Sequence, residues 1–249
     1  MRDYLWADAY RMPRYLPLWT GFAIALALYL GATYLISGPA FTPETYASVL
    51  AVFGSLLPLV AGLSLIGFVY SHDVRAGAMK VAIGRGVSRR GVVGVKTVEL
   101  LTLTVLGLGL LFVLCAAWDA VLGLDPGPAP LAGLLGVTLA ATLQLLIYGL
   151  IAGCVAFARQ ETTASTTVFA LLASGVFEVI LGLVLSQDAV VDAVGDLSRF
   201  LPRNLTSELG HAWATGDPGS FLGFTLVAGY LLLPVLLTRY LFDRTELDF

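Results

Sequence analysis

His72, Asp73, Arg75, Lys80, Arg85, Arg89, Arg90 and Lys96 crowd the stretch HDVRAGAMKVAIGRGVSRRGVVGVK, which lies between two long apolar runs. Six of the chain's 14 Lys and Arg residues stand there. Guanidinium and ammonium groups in such a cluster suit the binding of carboxylates and phosphates, not the breaking of bonds. The apolar residues between the charges are spaced for a helix. Met79, Ile83 and Val87 recur at four-residue steps, and Val81 and Ala82 widen that face. The spacing predicts an amphipathic helix with a basic side. Two readings follow: a charged loop that only sets membrane topology, or a docking element for a cytoplasmic partner.

A second chemically loaded residue is Glu178, inside the apolar run ASTTVFALLASGVFEVILGLVL. A charged side chain at the centre of a bilayer costs on the order of 2.5–3.5 kcal/mol on insertion scales, so it should face protein or water. One reading makes Glu178 part of a polar transport path. The other makes it a helix–helix hydrogen bond, with Gln144 as the partner on a neighbouring span. Both stay open on sequence alone.

Other chemistry is not expected. There is no G-x-x-x-x-G-K-[ST] phosphate loop, so ATP is not bound by that means. His72 and His211 fall on opposite sides of the expected topology and cannot share a metal. His211 has no serine elbow near it, and no Ser–His–Asp set can be assembled. Cys115 and Cys154 both sit in apolar runs, against disulfide scaffolding or a cysteine metal site. The expectation is no catalytic residue, no cofactor and no metal.

Composition points to the elements that carry these residues. The chain is 58% hydrophobic and 12% charged, where a soluble domain is about half apolar and a quarter charged. Six apolar runs read as spans: about Leu16–Ile36, Tyr46–Tyr70, Thr97–Trp118, Leu131–Phe157, Ala164–Leu185 and Phe221–Thr238. Leu16–Ile36 is longer than the core of a signal peptide and reads as a retained span. Before it, residues 1–15 mix Arg2, Arg11 and Arg14 with Tyr4, Trp6, Tyr10 and Tyr15 and read as an interfacial helix ended near Pro13 and Pro17. Pro58 should kink the second span. Gly149 and Gly153 form a G-x-x-x-G spacing in the fourth. The segment DAVLGLDPGPAP reads as an outer turn carrying Asp119 and Asp125. Residues 186–220 read as an outer segment with two short helices, one over Val190, Val191, Val194, Leu197 and Leu201 ended by Pro202, and one from Ser207 to Trp213. The expected fold is therefore an all-α polytopic membrane protein, a single domain over residues 1–249.

Charge orients it. Arg2, Arg11, Arg14, the six basic residues of the 71–96 loop, Arg159, Arg239 and Arg244 fall on one side of a six-span topology, and only Arg199 and Arg203 on the other. The positive-inside rule then puts both termini and the 71–96 loop in the cytoplasm.

Within that loop, Asp73, Gly77, Val87, Ser88, Arg89 and Lys96 resemble the first cytoplasmic loop of the permeases of type-2 ABC exporters. That family's pattern is an acidic residue, three residues, Gly, an apolar helical stretch, Pro-Val-Ser-Arg, then Lys seven residues beyond the Arg. Gly86 stands where the family has Pro, and Lys80 and Arg85 make the helix more basic than usual. The resemblance implies a six-span half-transporter in the plasma membrane. It would pair with a second permease chain, alike or different, among membrane lipid. A separate ABC ATPase subunit would hydrolyse ATP, and the 72–96 loop would be the coupling helix against it. On that reading Arg75, Lys80, Arg85 and Arg89 face carboxylates of the ATPase, while Met79 and Ile83 supply apolar contact. A secondary transporter or channel working without ATP is the competing reading. It would want ion-coupling residues or broken helices inside the membrane.

Overall fold

The structure is a computed structural model that describes residues 6–7, 10–124, 128–187, 192, 195, 197–217 and 219–244. Among the described residues every regular element is helical. The long helices are α1 (Leu16–Ile36), α2 (Pro43–Arg75), α4 (Arg89–Val121), α5 (Pro128–Arg159) and α9 (Phe221–Arg244). Shorter ones are α3 (Ala78–Gly84), α6 (Thr162–Ala173), α7 (Val176–Leu185) and α8 (Pro202–Ala214). Five helices are long and apolar enough to cross a bilayer, or six if the bent pair α6–α7 counts as one span. This is the architecture of a multi-pass membrane protein.

Local chemistry sets the ends. Thr42 and Thr45 exchange hydrogen bonds between side chain and backbone N–H, a capping box ahead of Pro43 at the first position of α2. Ser88 accepts the Gly91 N–H at 3.1 Å and starts α4. The basic residues from Arg89 to Lys96, read from sequence as loop, are thus the first turns of the third span. Pro17 and Pro202 open helices instead of closing them, because an N-terminal turn has no use for the missing N–H. The last helix runs past Thr238 to Arg244. Only part of the expected interfacial segment falls among the described residues, and it ends in a 3₁₀ turn at Met12–Arg14. Val190, Val191, Val194 and Asp125 lie outside the described residues, whereas the second outer helix begins earlier than expected, at Pro202.

Helix α5 is the hub. It packs against α2, α4, α6, α8 and α9, and its small residues explain how. A Cβ on Gly153 would lie 2.5 Å from the Tyr70 hydroxyl of α2, and one on Gly149 would lie 3.0 Å from Leu100 of α4. The G-x-x-x-G spacing therefore receives large side chains of the same chain. At the other end of α5, Gly136 meets the Gly210 carbonyl of α8 at 2.8 Å from a built Cβ, and Gly210 meets the Gly136 carbonyl in return. Backbone cannot step aside as a side chain can. Gly210→Val is expected to destabilise the chain by about 1–3 kcal/mol, typical of overpacking. It should release α8 from α5, read as faster amide exchange across residues 202–214. Unchanged exchange would mean that the two helices are not held in contact.

The end of the bundle away from the basic loop is tied by a group that sequence placed in a loop. Asp119 lies inside α4, buried, and its Oδ2 accepts from the Tyr29 hydroxyl of α1 at 2.6 Å and the Tyr46 hydroxyl of α2 at 2.8 Å. One carboxylate thereby clamps three spans.

Candidate functional site

The 71–96 segment is built as a braced corner. Helix α2 passes through a π turn at Gly67–Ser71 and ends at Arg75. Gly77 and Gly86, with φ of 65° and 89°, place left-handed turns on either side of α3. Proline, with φ near −65°, cannot adopt the Gly86 backbone, so this turn differs from one that a proline would make.

A buried ionic cluster holds the corner. Asp73 and Lys96 are both 0% exposed. The Lys96 ammonium lies 2.5 Å from Asp73 Oδ2 and 2.7 Å from Glu99 Oε2. The Arg11 guanidinium donates to Asp73 Oδ1 at 2.8 Å and to His72 Nδ1 at 2.8 Å. Two cations face two carboxylates, so the buried charge is balanced. The cluster joins the chain before α1, the end of α2 and the second turn of α4. Asp73 and Lys96 are therefore spent on bracing the corner that carries α3 from within this chain.

Several other expected contact residues are also occupied within the chain. Arg89 donates to the Phe242 carbonyl at 2.8 Å, and its neighbour Arg90, not among those expected contacts, pairs with Asp243 at 2.9 Å, so both tie α4 to the end of α9. Met79 is only 7% exposed and belongs to the main core, with Ile83 and Val87 half-buried against it. Lys80 is half-buried, while Ser88 is spent on capping α4. The faces left to solvent carry Arg75, Val81 and Arg85, with Val81 53% exposed. The amphipathic helix is real, but its larger apolar residues point into this chain. Val81, expected to widen the buried face, lies on the open side.

Glu178 sits where the fifth span breaks. Gly175, with φ of 76°, separates α6 from α7, and the pair is bent by 56°. Glu178 Oε1 accepts the Tyr148 hydroxyl of α5 at 2.6 Å. Its two oxygens also accept the Arg203 backbone N–H at 3.3 and 3.2 Å. Arg203 is in the first turn of α8, so the carboxylate caps that helix from another element, where the positive end of the helix dipole favours it. The partner on α5 is Tyr148, one turn beyond Gln144. Gln144 instead lines a cavity between α2, α5 and α8.

Reasoning from sequence missed Arg11, Glu99, Tyr148 and Asp119. The three-residue step from Lys96 to Glu99 was the one local signal available, since such pairs meet on a helix. The others pair across tens of residues, which no local spacing reports. Compared with known proteins, the chain matches no family model and no curated protein.

Proposed function

We propose that this chain is the membrane permease subunit of an ATP-driven exporter, working with a second permease chain and a separate ABC ATPase, without catalytic residues of its own. One observation carries the reading. The corner formed by the end of α2 and the short helix α3 is braced between two spans, with Arg75, Val81 and Arg85 turned outward and charge balanced behind it. Such an element passes rigid-body motion from a docked soluble subunit into α2 and α4. The resemblance of Asp73, Gly77, Val87, Ser88, Arg89 and Lys96 to exporter permease loops adds to it. The skew of basic residues supports an orientation with both termini in the cytoplasm, and the plasma membrane follows from the same resemblance.

The test is capture of the ATPase. The tagged chain, purified from native membranes, is expected to bring an ATPase subunit with it and to hydrolyse ATP. Arg75→Glu with Arg85→Glu, and separately Val81→Asp, should each lower the ATPase recovered per chain by about tenfold or more, since like-charge contacts at an interface cost several kcal/mol. All three side chains are outside the core, so folding should be kept. Full recovery in both variants would remove the coupling role.

A secondary transporter is the second reading, favoured by the broken span with Glu178 just past the break. It moves to first place if the wild-type chain carries transport with no ATPase bound.

A further inference from the structure

A cavity of about 410 Å³ lies between α2, α5 and α8, within the size range of small-molecule sites. Arg203, Ser207 and His211 line it from α8 at four-residue steps, which puts them on one helix face. Gln144 faces them from α5 and Ser55 from α2. The rest of the wall is apolar, chiefly Leu50, Val137 and small residues, and among the described residues no carboxylate lines it.

Two of these groups have no hydrogen-bonded side-chain partner among the described residues. Gln144 is only 7% exposed; no hydrogen bond joins its carboxamide to another described residue, and the group opens onto the cavity instead of being sealed in the core. Buried amides are normally satisfied, so an open one against a cavity marks a place for a ligand group. The Arg203 guanidinium makes no ion pair within 4 Å among the described residues, although its charge acts on the Glu178 carboxylate, which also takes the Arg203 backbone N–H. The guanidinium lies against Gly175, whose missing Cβ leaves it room. A fixed cation with five donors, beside an unpartnered amide and apolar walls, recognises one anionic head on a short apolar body.

We infer that this cavity binds a small anionic amphiphile, its phosphate or carboxylate on Arg203 and Gln144 and its apolar part against Leu50 and Val137. The inference does not depend on the ATPase reading, because binding is measured on the purified chain alone.

Decyl phosphate is the probe, with decanol and inorganic phosphate as controls, in a neutral detergent. Decyl phosphate is expected to bind saturably and raise the unfolding midpoint, and neither control should do so. Arg203→Gln and Gln144→Leu should each weaken it by about tenfold, the scale of losing a hydrogen bond to a charged group. Arg199→Gln, outside the cavity, should leave it unchanged. Arg203→Gln also alters the packing over Gly175, so Ala51→Phe provides a second route: it fills the cavity from α2, leaves Arg203 in place, and should abolish binding. Equal effects of decanol and decyl phosphate would reduce the binding to partitioning. Equal effects of inorganic phosphate would remove the apolar part of the site. Wild-type binding in Ala51→Phe would overturn the location.

Discussion

Lys96→Met is expected to destabilise the chain by about 3–5 kcal/mol, the scale of breaking a buried ion pair by removing one partner. The Lys96 ammonium is fully buried between Asp73 and Glu99. Methionine fills nearly the same volume, so the loss is electrostatic and not a cavity effect. Two carboxylates would remain in a low-dielectric corner with Arg11 as the cation on Asp73. For a chain of this size the unfolding midpoint should fall by roughly 6–20 °C. Adding Glu99→Gln should return part of that loss, because it removes one stranded charge. A wild-type midpoint for Lys96→Met, or a further fall in the double variant, would show that the cluster does not work by charge balance. The brace also bears on α3: Lys96→Met should loosen it and, if the proposed coupling role holds, lower ATPase capture without touching the exposed face.

Glu178→Leu should have the next largest effect. It strands the buried Tyr148 hydroxyl and the Arg203 N–H, and an unsatisfied buried group costs about 1–3 kcal/mol. The first turn of α8 should exchange its amides faster, and the outer helix should separate more readily from α5. Glu178→Gln keeps an acceptor for both donors and should stay near the wild-type midpoint. If Gln also leaves transport and its pH dependence unchanged, the residue is a bridge between helices. If Gln alters transport at unchanged stability, the carboxylate works in the path as well. A wild-type midpoint for Glu178→Leu would remove the bridging role.

These two sites show where the sequence stopped being legible. The apolar runs placed the spans to within a turn or so for α1 and for most of α2 and α5, because a bilayer imposes a length on each segment independently. The pattern of basic residues and the amphipathic character of α3 were also local properties and could be read from neighbours in the chain, whereas the left-handed turns at Gly77 and Gly86 came only from the structure. The broken fifth span was not legible either: Gly175 is one glycine in an apolar run, and the bend, with Glu178 reaching the first turn of α8, is visible only in the tertiary structure. Side-chain roles were decided by tertiary structure throughout. Met79 and Val81 were equivalent as apolar residues of one short helix, and the core behind α3 chose Met79 to bury. Asp119 beside a Pro/Gly turn looked solvated until Tyr29 and Tyr46 closed over it. Lys96 looked like a surface cation until Asp73, Glu99 and Arg11 surrounded it. Desolvation and pairing depend on which distant groups the fold brings within a few ångströms, whereas hydropathy, helical period and charge sign are carried by each segment alone.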